Sequence, residues 1–298
     1  MEARVPVRTP YRLDLTATVL RRLSTNVVDV FDGRVYRRLL GDAGAPLLLV
    51  VEQREPEALA VRLEGPNAGR FAPDVLAERI LGTQRTLDAF YAGAARFPWL
   101  DRIAVAARGV RPPRYPSLWE TVVNAVVYQQ VSIHAAGAIL RRVIERYGAP
   151  RDEGGVRLYP FAGAQTILDA DARDLRASGL SVNKITSLKA VARAVVDGEL
   201  DEGALDTLDT PALLEALAAH RGIGPWTAAV IALRGFGRLD VFPMRDSGAE
   251  RSLRALSGDD GVEVQPVIDA LAPQQGMLYY HLLLGRLAAR GEIALGAV

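Results

Sequence analysis

The run Gly222-Ile223-Gly224-Pro225-Trp226 constrains this chain more than any other stretch. It stands between two segments of helical apolar spacing, Pro211–Ala219 and Trp226–Gly235, and so requires a tight turn between two helices. Two glycines let the backbone turn sharply and approach another surface closely. Pro225 suits the first position of the second helix, where no amide hydrogen is needed. Amides exposed in such a turn, beside a helix N-terminus, seat a phosphate. Further on, after Asp240-Val241-Phe242-Pro243, Asp246 opens the helical stretch Ser247–Leu256, with Arg245 and Arg251 beside it. Alone, a Gly-x-Gly is an interhelical turn and an aspartate in that place is a helix N-cap. Together, a carboxylate beside a phosphate-binding turn points to chemistry on nucleic acid.

The 298 residues are enough for two domains, each with its own core, and 49% apolar with 24% charged residues suits a soluble globular protein. No segment is apolar for long enough to span a bilayer, and the N-terminus lacks a signal-peptide core, so a cytoplasmic location without membrane contact is expected. Cysteine is absent, which excludes disulfides, thiolate catalysis and cysteine-held zinc or iron–sulfur clusters. The net charge of +1 announces no nucleic-acid partner, although the cations are nearly all arginine, with lysine only at 184 and 189. Three scattered histidines, His134, His220 and His281, make no metal site.

Two regions are predicted, giving an α+β chain that is predominantly α. Residues 1–112 form a small domain with an antiparallel sheet and helices on one side. Its strands are Val35–Leu40, Pro46–Gln53 and Ala58–Leu63, with turns at Gly41–Ala45 and Arg54–Glu57, and one helical pattern runs over Pro73–Ala94. Gly109–Pro116, with three prolines, reads as a linker. Residues 113–298 read as all-helical: Leu118–Tyr128, Ser132–Tyr147, Gln165–Ser178, Lys184–Val196, the hairpin pair, Ser247–Leu256, Val264–Leu271 and Met277–Arg290.

The run Arg221–Ala228, with Asp240–Pro243 and Asp246, resembles the helix-hairpin-helix (HhH-GPD) DNA glycosylase superfamily. Leu118–Val123, Gln129-Gln130-Val131-Ser132, Ala135-Ala136, Gly179-Leu180-Ser181 with Lys184, and Gly109–Pro113 extend the resemblance to its 3-methyladenine DNA glycosylase II (AlkA-type) branch. It is strongest from Leu81 to Arg290.

The resemblance implies an enzyme that flips a damaged nucleotide out of double-stranded DNA and hydrolyses its N-glycosidic bond, leaving an abasic site. Alkylated purines are the implied substrates, with Asp246 stabilising the positive charge that develops on the sugar. Trp226 stands where bifunctional relatives carry a lysine, which implies a monofunctional enzyme and offers a ring for stacking on a cationic base. The implied base pocket adds Tyr128, Val230, Ser247 and Gln274, with Val19 at a further family position and Tyr279 or Tyr280 as other candidate rings. Gln130 takes the wedge position. Gly222, Ile223, Gly224, Thr227, Ser247 and Gly248 form the implied DNA grip. A structural monovalent or calcium ion held by the carbonyls of Ala218, His220 and Ile223 is the only metal the resemblance suggests; no cofactor is required, and the unit is a monomer. A glycosylase for another lesion and a non-catalytic lesion sensor are the alternatives.

Overall fold

The structure is a computed structural model that describes residues 1–41 and 44–296. Asp42 and Ala43, inside the turn expected at 41–45, lie outside the described residues. Five antiparallel strands form a sheet in the order β1-β5-β4-β3-β2: β1 (Glu2–Pro6), β2 (Val30–Phe31), β3 (Val35–Leu40), β4 (Leu47–Glu55) and β5 (Ala58–Glu64). Alternation sorts the side chains. Tyr36, Leu49, Val51, Val61 and Leu63 face helices Leu13–Arg21 and Pro73–Leu81, whereas Leu39, Leu48 and Val50 face Leu158 on the far side. The helices therefore cover one face, as the pattern suggests.

The structure corrects several boundaries. Pro73–Ala94 is two helices, Pro73–Leu81 and Asp88–Ala94, because Gly82 ends the first in a left-handed conformation (φ +60°), where a Cβ would stand 2.9 Å from the Pro112 carbonyl. A further helix, Pro98–Ala106, follows. The region after 112 is not all-helical: β6 (Arg151–Glu153) and β7 (Val156–Leu158) pair through Gly154 and Gly155, both at positive φ, as a two-residue hairpin demands. That hairpin carries Leu158 onto the sheet. Gln165–Ser178 divides into Ala164–Asp169 and Ala172–Ala177, the second capped by Asp171.

Two helical cores lie beside the sheet. The first joins helices Leu118–Tyr128, Ile133–Tyr147, Val182–Val196, Thr210–Ala218 and Pro225–Arg234. The second crosses residue 112, packing Leu87, Phe90 and Leu100 against Leu253, Leu271 and Tyr280. Helix Leu13–Arg21 serves two cores at once, with Leu13, Ala17 and Leu20 on the sheet and Leu15 and Val19 in the second core. A helix apolar on both faces is a buried helix.

His281 is fully buried in the second core, its ring 4.3 Å from that of Phe90, with Nδ1 2.9 Å from the Met277 carbonyl. Burial pulls its pKa down from 6.5 to about 4. The unfolded chain thus binds this proton more readily than the folded one. Stability is complete above the ordinary histidine pKa and falls as pH drops toward 4, by about 3 kcal/mol. Melts between pH 7 and pH 4.5 are expected to show this slope, and His281→Leu to flatten it.

Candidate functional site

The hairpin forms as its residues dictate. Helix Thr210–Ala218 runs into a turn in which Gly222 sits at φ +88° and Ile223, 3% exposed, plugs the first core. A Cβ on Gly222 would lie 2.4 Å from the Cβ and Oγ of Ser187, so the backbone touches helix Val182–Val196 directly. Gly222→Ala is expected to cost about 2–4 kcal/mol, combining left-handed strain with overpacking. Ser187→Gly should recover only the packing part, as read by chemical denaturation. Gly224 faces open space, and Pro225 begins the next helix.

Asp246 caps helix Ser247–Ser257 and does more besides. Its Oδ1 accepts hydrogen bonds from the amides of Gly248 (2.8 Å) and Ala249 (2.9 Å), which fixes the carboxylate at the helix N-terminus. Its Oδ2 accepts from Trp226 Nε1 and Tyr279 Oη, each at 3.1 Å. Burial, and then the neighbouring carboxylate, push the Tyr279 hydroxyl well above its ordinary range, so it remains a donor. The Trp226 edge is thereby fixed toward Asp246.

This carboxylate opens onto a cleft of about 770 Å³ between the two helical cores. Across it lies the loop Gln129–Ser132, where Gln130 is exposed at φ +55° and Val131 is exposed beside it. Tyr128, Trp226, Thr227, Ser247 and Gly248 line the cleft with Asp246 and Gln130, so most of the expected site residues converge. Val230 and Gln274 do not. Val230 is buried in the first core, as the inward side of its helix requires. Both ends of the Gln274 amide are committed elsewhere, accepting from the Phe90 amide and donating to the Thr86 carbonyl. Val19 and Tyr280 are fully buried in the second core.

Three members of the expected grip differ in detail: the Ile223 side chain fills the first core while its amide donates to the His220 carbonyl. The Gly248 amide is spent on Asp246, and the buried Thr227 hydroxyl accepts from Gln129 Nε2 at 2.8 Å. Gln129 also donates to the Gly222 carbonyl at 3.0 Å, tying the loop to the hairpin. Lys184 completes that brace, its Nζ donating to the carbonyls of Val127 (2.7 Å) and Gln129 (2.9 Å). Sequence reasoning missed the Gln129 bridge, for which adjacency to Gln130 was the only signal. It missed Arg22 and Arg286 as well, which line the cleft from elements far away in the chain. Among the described residues no group of three or more His, Cys, Asp or Glu could hold a metal, and no helix is long and apolar enough to cross a membrane.

Residues 123–270 match the family described as HhH-GPD superfamily base excision DNA repair protein. DNA-3-methyladenine glycosylase 2 of Escherichia coli K12 is 32% identical over 143 residues, which cover 48% of this chain and 50% of that protein. The chain spans between 35% and 62% of the length of the curated relatives it matches. Among solved structures, a 3-methyladenine DNA glycosylase from Archaeoglobus fulgidus superposes with a TM-score of 0.78 at 22% identity, covering 96% of this chain and 98% of that one. The 8-oxoguanine glycosylase/lyase of Clostridium acetobutylicum, in complex with double-stranded DNA, gives 0.71 at 16% identity, covering 98% and 99%. One fold thus serves both kinds of enzyme, and fold alone does not choose between them.

Proposed function

Residues 123–270 belong to the HhH-GPD superfamily of base excision DNA repair proteins, and on that premise we propose that this chain is a monofunctional DNA glycosylase excising alkylated purines from double-stranded DNA. The observation that carries the reading is the placement of the Asp246 carboxylate in the cleft, held by four donors and faced by the Gln129–Ser132 loop. Gln130 and Val131, at the exposed tip, would fill the vacated stack while the extruded nucleotide enters the cleft. As the bond to the base breaks, positive charge develops on the sugar, and the Asp246 carboxylate stabilises it. Water then adds to C1′, delivering its proton through Asp246.

The grip on the backbone falls to the amides of Gly222, Gly224 and Ser247, with Arg245 and Arg251 at the rim. The carbonyls of Ala218 and Ile223 accept no hydrogen bond among the described residues, and that of His220 accepts one, from Ile223. These three fit a monovalent or calcium ion, which would add positive charge beside a phosphate. One loop and one cleft serve one lesion, so the unit is a monomer.

Both lysines are engaged elsewhere: Lys184 holds the loop, and Lys189 donates to the carbonyls of Leu168 and Ala170. No lysine lines the cleft. The test is chromatography of the bases released from methylated duplex DNA. Free 3-methyladenine and 7-methylguanine are expected, with an intact abasic strand and no borohydride-trapped adduct. A trapped adduct would refute the monofunctional mechanism, and DNA binding without release of either base would refute the alkylpurine assignment.

A further inference from the structure

The lone pairs of the Asp246 carboxylate are all taken. An ionised carboxylate offers about four lone-pair sites on its two oxygens, and four donors occupy them here. Two are the amides of Gly248 and Ala249, fixed in the first turn of helix Ser247–Ser257. The third is Trp226 Nε1, whose hydrogen lies in the ring plane and cannot turn away. The fourth is the Tyr279 hydroxyl, carried by helix Gly276–Ala289. Phe242 and Tyr280 meet the Tyr279 ring edge to face, with centroids 6.2 and 6.3 Å away, and so hold it in place. Its O–H bond is the one donor of the four that can rotate. Tyr279 also lines the cleft, and among the described residues no group donates to its oxygen. Water entering the cleft therefore meets an acceptor on Tyr279 before it meets one on Asp246.

We infer that Tyr279 is a second catalytic residue, which takes the proton of the attacking water as it hands its own to Asp246. This rests on the glycosylase reading above and deepens it. The C1′–N9 bond of a cationic alkylpurine breaks with its electron pair, and the base departs neutral. The water oxygen then forms the new bond to C1′. The water O–H bond breaks toward Tyr279 Oη, and the Tyr279 O–H bond breaks toward Asp246 Oδ2. Asp246 finally releases that proton to solvent. The products are the sugar hydroxyl, the free base and one proton, and Tyr279 ends as the phenol it was. This order suits the electrostatics. Asp246 keeps its charge while the sugar is cationic, and is neutralised only after the C1′–O bond has removed that cation. Burial, and then the Asp246 charge, keep the phenol protonated beforehand, so the proton to be passed is in place. The charges of Arg22 and Arg234 act on it in the opposite sense and steady its phenolate character during the transfer.

Single-turnover release of 7-methylguanine from methylated duplex DNA, in H2O and in D2O, tests the relay. Tyr279→Phe keeps the ring and removes only the hydroxyl, so binding to an abasic duplex should be unchanged by fluorescence anisotropy. Release is expected to slow about 10²-fold, the usual loss for a proton-transfer residue. Trp226→Phe takes a donor from the same Asp246 oxygen but removes no group able to pass a proton on. A Tyr279 that only orients the carboxylate would make the two variants alike, both slower and both still sensitive to D2O. The relay instead predicts that sensitivity in the parent and in Trp226→Phe, and its loss in Tyr279→Phe. The parent alone gives a further test, independent of how any variant folds. Two protons moving together make its rate curve with deuterium content in H2O–D2O mixtures. A straight line, a parent indifferent to D2O, or Tyr279→Phe releasing base within about threefold of the parent would overturn the assignment. A parent that releases no 7-methylguanine sinks the alkylpurine reading itself, whereas release by the parent with an undiminished Tyr279→Phe sinks the relay alone.

Discussion

On the proposed function, Asp246→Asn is expected to abolish most base release, by on the order of 10²–10³-fold, while duplex binding persists. Asparagine is as good a helix N-cap as aspartate, and its Oδ1 can keep the amides of Gly248 and Ala249. Its Nδ2 then faces two groups that donate to Oδ2 in the parent. The Tyr279 hydroxyl can rotate and accept instead, but Trp226 Nε1 has only a hydrogen to offer. Trp226 is half-buried, so this mismatch costs less than the 1–3 kcal/mol of a sealed donor. Helix Ser247–Ser257 is therefore expected to stay formed, with a melting temperature lowered by a few degrees. The missing negative charge is what the reaction feels, since an amide cannot balance a cationic sugar. Single-turnover release beside fluorescence anisotropy on the same duplex separates the two effects. Undiminished release would remove Asp246 from the mechanism, and lost binding would make it a structural cap.

Arg38→Met is expected to destabilise the fold by about 3–5 kcal/mol, the usual cost of leaving buried charges unpaired. From β3, Arg38 donates to Asp29 Oδ1 at 2.6 Å and to Glu120 on helix Leu118–Tyr128, with all three residues at most 4% exposed. Tyr36 adds a hydroxyl to the same Asp29 oxygen at 2.7 Å. Burial lifts the Glu120 carboxyl above the ordinary carboxylate range even with Arg38 beside it. Methionine fills the arginine stem's space and leaves two buried carboxyl groups with no cation between them, each of which must stay ionised unpaired or take up a proton at a cost. A fall of roughly 6–15 °C in melting temperature is expected. Adding Asp29→Asn and Glu120→Gln to the same chain should recover most of it, because the damage lies in unbalanced charge. A single variant melting within about 2 °C of the parent would refute this account.

What could be read from the sequence was what neighbours along the chain determine. Strands β3, β4 and β5 stand out as Val- and Leu-rich runs between turns, and the hairpin with Asp246 follows from glycines, a proline and a cap within a short span. Strand β1 escaped because only Val5 of its five residues is buried, as suits an edge strand. Helix Leu13–Arg21 escaped because serving two cores blurs its periodicity. The same blindness explains the site. Tyr128, Trp226 and Asp246 lie on or beside recognisable motifs, whereas Arg22 reaches the cleft from about two hundred residues before the hairpin. No local pattern joins such distant residues. Val230 and Gln274 were assigned by position, yet burial and side-chain hydrogen bonds decided where they went.

The bridge from Gln129 to the Gly222 carbonyl, braced by Lys184, gives the two surfaces proposed to meet DNA a single mechanical identity. The probing tip and the phosphate clamp form a caliper of fixed span rather than two independent fingers. A caliper cannot grip a backbone without also pressing on the stack beside it. Stiff, well-paired duplex resists that pressure, and duplex softened by a damaged or poorly paired base yields to it. On the proposed function, search along DNA becomes a measurement of compliance at each step, made before any base has met the chemistry of the cleft.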